Sequence, residues 1–146
     1  MSLILGRNKA ISEIGSIGEN VVFDLLSVKH EVVMSEDKFD SIKDMLADFE
    51  TVEVKTSVPI KIYNAFCVGS SQIVKCMNVD RLFFVEIGKG DGINVYEAPK
   101  PRRPQRREYN NDICYFFKLT DLNLYDTVQN KNIAKRLRVL SPSKYL

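Results

Sequence analysis

The fold is decided by residues 40–57, DSIKDMLADFETVEVKTS. Apolar residues follow Asp44 and predict one short strand, and Glu53 and Lys55 belong to the next strand. Side chains alternate between the two faces of a strand, so Glu53 and Lys55 point to the same side. A turn at about residues 48–50 would return the chain and bring Asp44 beside Glu53. The stretch therefore predicts two carboxylates and one ammonium in a single cluster.

This cluster has the chemistry of a divalent-cation site. Two carboxylates are hard oxygen ligands of the kind that Mg²⁺ or Mn²⁺ prefers. An ammonium beside a metal-bound water can orient or deprotonate that water, or stabilise the charge of a phosphorane-like transition state. The alternative interpretation is an ordinary strand with alternating charges on a solvated face.

At these residues the chain resembles the PD-(D/E)XK nuclease superfamily. The signature of that family is an acidic residue, a short spacer and then Glu/Asp-x-Lys on the next strand. Asp44 and the run Glu53-Val54-Lys55 match it, while Lys43 stands where the family has a proline. The resemblance covers about residues 11–97. It implies an α/β (α+β) restriction-endonuclease-like fold with an αβββαβ core, in which helices flank a central mixed sheet.

The resemblance also implies roles for individual residues. Asp44 and Glu53 would bind Mg²⁺ or Mn²⁺, the Val54 carbonyl would be a third ligand, and Lys55 would position or activate the attacking water. The residues alone leave open whether Asp40 rather than Asp44 is the first ligand.

Two further residues fit the family pattern. Glu19 follows Gly15 and Gly18 on the first predicted helix, where the family often carries a glutamate that completes the acidic shell or binds a second metal. The alternative is that Glu19 merely caps a helix that begins or restarts at Ser16. Gln72 lies near the start of the helix after Glu-x-Lys, where it would hold the metal's water or the scissile phosphate. Its alternative is a plain surface glutamine.

The length of 146 residues predicts a single domain over residues 1–146. The resemblance implies that this is a nuclease domain, with its core at about 9–97 and an appendage at 98–146. Residues 81–87 form a continuous apolar run, which is typical of a strand buried on both faces. The predicted helices cover 9–29, 71–78 and 130–140, and the predicted strands cover 31–34, 44–47, 51–56, 65–68, 81–87, 93–97 and 113–119.

Residues 99–107 hold the densest basic cluster of the chain. The prolines in this segment predict an irregular exposed loop, and arginine forks suit phosphate oxygens. The alternative is a solvated loop with no ligand. The predicted nucleic-acid contacts are Lys100, Arg102, Arg103, Arg106 and Arg107, with Lys131 and Lys135 on the basic terminal helix.

Composition excludes several classes of function. The net charge of +2 means that any affinity for nucleic acid comes from local patches. The lone His30 cannot build a histidine-based metal site. The three cysteines are far apart in sequence, and we expect them to be reduced and buried in a cytoplasmic protein, or in the host cytoplasm if a phage encodes the chain. There is no apolar run long enough to span a membrane.

The sequence thus predicts a Mg²⁺-dependent DNA endonuclease that hydrolyses phosphodiester bonds. Its small size resembles structure-selective enzymes such as Holliday junction resolvases or phage-type endonucleases, acting on branched or duplex DNA in recombination, repair or phage DNA processing. Cutting two strands requires two sites, so we expect a homodimer, with residues 113–119 and the terminal helix at its interface. The alternatives are a restriction-type endonuclease and a non-catalytic nucleic-acid-binding protein on the same fold.

Overall fold

A computed structural model describes residues 2–36 and 42–141, with side chains from residue 9 onwards. Asp40, the alternative first ligand, lies outside the described residues. The helices are α1 (Ser2–Ser27), α2 (Ile73–Asn78) and α3 (Lys131–Leu140). The strands are β1 (Val32–Met34), β2 (Met45–Ala47), β3 (Glu50–Ser57), β4 (Ala65–Gly69), β5 (Arg81–Glu86), β6 (Gly92–Ala98), β7 (Gln105–Tyr109), β8 (Asp112–Lys118) and β9 (Asn123–Gln129).

The strands form two sheets. The main sheet has the order β1-β2-β3-β5-β6-β9, and a smaller sheet has the order β4-β8-β7. In the main sheet β3 and β5 are parallel and the other neighbours are antiparallel. The protein is therefore a mixed α/β fold with a mixed sheet and helices, which confirms the predicted fold class at this level.

The strand β5 separates two hydrophobic cores, as its continuous apolar sequence predicts. Phe83 and Val85 pack into the core that also contains buried residues of α1 and α3. Leu82 and Phe84 pack into the core on the other face, with residues of α2 and of the smaller sheet. Helices α1 and α3 thus cover one face of the main sheet, and α2 with the smaller sheet covers the other.

The helix α1 is continuous through the predicted capping box. Ser16 and Glu19 lie in its middle, so the expectation that the helix begins or restarts there is wrong. Gly18 is buried against Thr56 of β3, and a Cβ at this position would overlap the threonine side chain. The glycine therefore sets how closely α1 approaches β3. Among the described residues, no atom outside the helix lies within 4 Å of a Cβ built at Gly15, so the same argument does not extend to Gly15.

Residues after 97 belong to the body of the protein rather than to an appendage. Strand β9 pairs with β6 and extends the main sheet. Ala134 and Leu137 of α3 lie in the main core. Strand β8 is paired on both sides, by β4 and β7, and its Phe116 and Phe117 are buried. It therefore offers no free edge for the dimer interface that the sequence predicts there.

Two smaller expectations are also corrected. The cysteines are free, as predicted, but only Cys76 is buried, while Cys67 and Cys114 are partly exposed. Within the described part of the chain, none of the helices combines the length and apolar character needed to cross a membrane.

The predicted basic loop ends in a strand, and its cations do not all point to one surface. Residues Gln105–Tyr109 form a strand, so Arg106 and Arg107 point to opposite faces of the smaller sheet. The Arg107 guanidinium lies over the Tyr63 ring, with 5.1 Å from its Cζ to the ring centroid. The expectation that the prolines keep this whole segment irregular is wrong, because pairing with β8 supplies the backbone hydrogen bonds.

Arg102 is a structural residue. Its side chain is buried, with 8% of the residue exposed. The guanidinium donates to the carbonyl oxygens of Cys76 at 3.1 Å, Val79 at 2.7 Å and Asp80 at 3.0 Å, around the end of α2. Cys76 is in the last turn of α2, where carbonyls lack a donor within the helix, and Val79 and Asp80 follow the helix directly. The buried cation therefore stabilises the helix end. The prediction that Arg102 contacts nucleic acid is therefore wrong.

We predict that Arg102→Met destabilises the protein by roughly 2–4 kcal/mol, because several buried carbonyls lose their donor. Urea unfolding followed by circular dichroism measures the change. Arg103→Met is the matched control, since Arg103 is exposed on the same segment and its replacement should change stability by less than about 0.5 kcal/mol. Equal effects of the two substitutions would contradict the structural role of Arg102.

Candidate active site

The hairpin between β2 and β3 brings the two predicted carboxylates together. Asp48 and Phe49 form its turn and have φ values of 47° and 69°, the left-handed region expected of a tight hairpin turn. Met45 pairs with Val52, so the preceding Asp44 lies opposite Glu53 on the same face. The predicted return of the chain at residues 48–50 is confirmed.

Asp44 is held in place by the backbone of β3. Its Oδ2 accepts a hydrogen bond of 2.8 Å from the Val54 amide, and its own amide donates to the Val52 carbonyl at 2.8 Å. These two contacts fix the carboxylate against the strand that carries Glu53. Val54 itself points into the main core, on the side opposite to Glu53, as the strand alternation predicts.

Glu53 is fully buried, with 0% of the residue exposed. Lys55, two residues along the same strand, places its Nζ 3.2 Å from Glu53 Oε2. Lys75 of α2 places its Nζ 3.3 Å from Glu53 Oε1. Among the described residues, neither Glu53 oxygen has a well-aligned hydrogen bond, so these contacts are ion pairs at close range. Buried carboxylates are costly unless positive charge balances them in this way.

Lys75 is the member of this cluster that the sequence analysis missed. Its Nζ lies 3.2 Å from Asp44 Oδ1 as well as 3.3 Å from Glu53 Oε1, so one ammonium joins both carboxylates. The signal in the sequence is its spacing from Gln72. Residues three apart lie on the same side of a helix. If Gln72 faces the site, Lys75 is therefore expected to lie near the site as well.

Gln72 contacts the lysine of the motif. It is the residue that precedes the first turn of α2, and its side chain makes no capping hydrogen bond there. Its Oε1 instead accepts a hydrogen bond of 2.7 Å from Lys55 Nζ. The side chain of Gln72 is exposed but engaged, which favours the predicted site role over a plain surface position.

A cavity of about 780 Å³ opens beside the cluster, between α1, the end of β3 and α2. Glu19 of α1 is partly buried and lines it, so the structure brings this predicted residue to the same space. Apolar residues, among them Ile11 and Val74, lie on two sides of the opening. Of the predicted site residues and Lys75, those that line the cavity are Glu19, Asp44, Val54, Lys55, Gln72 and Lys75.

The two carboxyl groups titrate very differently. Burial, followed by contact with the Asp44 carboxyl, raises the pKa of Glu53 to about 8, and the two lysines only partly offset this. Burial alone would raise the pKa of Asp44, but contacts with Glu53, the Val54 amide and Lys75 lower it below its usual value. Two carboxyls this close share one proton, and the better-stabilised one ionises first.

The predicted basic residues lie away from this cluster. Lys100, Arg103, Arg106 and Arg107 follow β6, and Lys131 and Lys135 are exposed on α3. The end of α3 does approach the cavity, because Ser141 lines it. Comparison of the chain with family models, curated proteins and solved structures finds no match. Any functional assignment therefore depends on the site itself.

Among the described residues, no group of three or more His, Cys, Asp or Glu side chains converges on one point. Two acidic side chains, Asp44 and Glu53, do converge. Mg²⁺ is usually held by one or two carboxylates together with water and substrate phosphate, so this pair matches its ordinary protein ligands.

We predict that metal-free protein loses stability as the pH rises from about 4.5 to about 8. Folded Glu53 keeps its proton through this range while unfolded Glu53 has lost it, so the native state binds more protons and the free energy of unfolding falls. Glu53→Gln should abolish this part of the pH dependence and should be more stable than wild type at the upper end of the range.

Urea unfolding in chelator at several pH values tests this prediction. Glu50→Gln serves as the control, since Glu50 is exposed on the same strand. The expectation fails if Glu53→Gln has the same pH dependence as wild type, or if its stability relative to wild type declines as the pH rises.

Proposed function

We propose that this chain is a metal-dependent nuclease of the PD-(D/E)XK type, which hydrolyses phosphodiester bonds in DNA. The observation that carries the proposal is the convergence of Asp44, Glu53 and Lys55 beside a cavity that Asp44 and Lys55 line. The three residues form the motif that resembles the family, and the pairing of β2 with β3 brings them together.

The order of elements supports the same assignment. A long helix precedes three strands that pair in sequence, and α2 leads into β5, which runs parallel to β3. This order supports the αβββαβ core that we propose, with β4 placed in the smaller sheet. The active-site residues lie on the central strands of this arrangement and on its second helix.

The residues present fit a divalent cation. The buried Glu53 oxygens have no well-aligned donor among the described residues, and one ammonium already lies between the two carboxylates. These oxygens are therefore suited to a positive charge, which the ammonium supplies when no metal is bound. Asp44 and Glu53 would hold Mg²⁺ or Mn²⁺, with the Val54 carbonyl as a third ligand. Glu19 lines the same cavity but does not converge with this pair, so it would act at a second metal ion. When bound, the ion would supply positive charge to the scissile phosphate and lower the pKa of water.

The remaining roles belong to the chain's own side chains. Lys55 would orient the attacking water and stabilise the charge that develops on the phosphate. Gln72 holds the Lys55 ammonium through its 2.7 Å contact, so it would position that lysine in addition to binding the phosphate or its water. Arg102 stabilises the end of the helix that carries Gln72 and thereby contributes to the site indirectly.

For DNA contact we retain the exposed cations Lys100, Arg103, Arg106, Arg107, Lys131 and Lys135. They lie on several elements and point in different directions, so we propose phosphate contacts at separate places in place of one basic loop. We further propose that the protein acts like a resolvase on branched or duplex DNA. We also propose that it is a homodimer in the cytoplasm. The dimer interface would lie outside β8, whose edges are both paired.

One observation favours a non-catalytic nucleic-acid-binding protein as the second candidate. Both acidic side chains already have lysine ammonium groups beside them, from Lys55 and Lys75. A protein that binds no metal could use these ion pairs only to hold α2 against the sheet. This candidate predicts that the protein binds DNA and that Asp44 and Glu53 have no affinity for divalent cations.

We predict Mg²⁺-dependent cleavage by the wild type, tested on linear duplex, single-stranded, plasmid and four-way-junction DNA, with EDTA as the blank. Asp44→Asn and Lys55→Met should each lower the cleavage rate by at least about 100-fold, because each removes a group that acts at the reacting phosphate. Lys55→Met should still bind DNA in Ca²⁺.

Asp24→Asn and Lys61→Met are the matched controls, since both residues are exposed and outside the cavity lining. They should cleave at the wild-type rate. Undiminished Mg²⁺-dependent cleavage by Asp44→Asn would contradict the proposal that Asp44 is a metal ligand of a nuclease site. DNA binding by wild type without cleavage of any substrate would favour the second candidate.

A further inference from the structure

Lys75 occupies the position between the two carboxylates of the proposed metal site. Its Nζ lies 3.2 Å from Asp44 Oδ1 and 3.3 Å from Glu53 Oε1. Lys55 reaches only Glu53 and is held on its other side by Gln72. Lys75 is therefore the one described cation that joins both acids.

The cluster needs no added ion to offset its acids. With both carboxyls ionised, the two negative charges of Asp44 and Glu53 are matched by the two positive charges of Lys55 and Lys75, and the sum becomes +1 when Glu53 holds its proton. A divalent cation that entered beside Lys75 would be repelled by the ammonium at close range. It would also need carboxylate oxygens that the ammonium already contacts. A cation and the Lys75 ammonium thus compete for the same place.

The surroundings allow Lys75 to leave while the rest of the site stays. Lys75 has a flexible four-carbon stem, its side chain is 16% exposed, and it lines the cavity. Asp44 keeps its separate contact from the Val54 amide through Oδ2. The Arg102 guanidinium anchors the end of α2. The side chain can therefore move into the cavity without a shift of the helix or of the carboxylates.

We propose that Lys75 is a resident counter-cation, which holds Asp44 and Glu53 together in the metal-free protein and must withdraw into the cavity before a divalent cation binds. The withdrawn ammonium then faces the space where the proposed function places the phosphate, and it is a donor suited to phosphate oxygens. This inference rests on the proposed metal site and makes Lys75 a positioning residue for it.

Metal affinity without DNA tests the inference, using Mn²⁺ followed by electron paramagnetic resonance. Lys75→Met removes the competing charge while keeping a long side chain, and we expect at least about tenfold tighter Mn²⁺ binding than in wild type. Lys75→Arg keeps the charge and adds a fork that pairs well with carboxylates, so we expect weaker binding than in wild type.

The control is Lys55→Met, which removes one positive charge but no bridge. It should tighten Mn²⁺ binding less than Lys75→Met does. An equal gain in both variants would overturn the inference, because the effect would then be charge alone. Unchanged or weaker binding by Lys75→Met would also overturn it. Circular dichroism checks that each variant is folded, and if Lys75→Met is not, the direction of the Lys75→Arg change decides.

Failure of this inference can be told apart from failure of the proposed function. If wild type binds Mn²⁺, Glu53→Gln abolishes that binding and Lys75→Met gains nothing, only the role of Lys75 is overturned. If neither wild type nor Lys75→Met binds Mn²⁺, the metal site itself is overturned, and the role of Lys75 with it.

Discussion

The burial of the Glu53 carboxylate constrains everything around it. A carboxylate without access to water must be protonated, paired or both, and here two lysines and a neighbouring carboxyl meet that requirement. One lysine comes from the same strand, and the other comes from α2, so the helix must lie against this face of the sheet. The position of α2 depends in turn on Arg102, which reaches back from the segment after β6 to the helix end. Elements far apart in sequence are thereby joined at one buried charge.

The opposite face of β3 sets the other side of the cavity. Val52 and Val54 pack into the main core, and Gly18 lets α1 lie directly on Thr56. Glu19 follows Gly18 on the helix, so the same close approach that the glycine permits brings a third carboxylate to the cavity. Helix packing on one face and charge pairing on the other therefore meet at the end of one strand. Such a meeting of a packed scaffold and a polar opening is the usual setting of a site that binds small charged groups.

How much could be predicted from the sequence depends on the range of the interactions. The hairpin, the side of Glu53 and Lys55, and the burial of β5 follow from local alternation and apolar runs, and the structure agrees with all three. The spacing from Gln72 indicates only the side of α2 on which Lys75 lies. The contacts of Lys75 and Arg102 could not be predicted, because their partners are more than twenty residues away in the chain. Strand β7 is almost wholly exposed and carries no apolar alternation, so its pattern resembles a loop until β8 pairs with it. The edge strand β9 was missed for a similar reason, since most of its residues are polar or exposed.

The most direct test of the central claim is a crystal structure of the protein soaked in Mn²⁺, with anomalous scattering used to locate the ion. We expect an anomalous peak about 2.2 Å from carboxylate oxygens of both Asp44 and Glu53. The Lys75 ammonium should have moved away from both oxygens and into the cavity. A peak elsewhere on the surface, with Lys75 still between the two carboxylates at saturating Mn²⁺, would contradict the account.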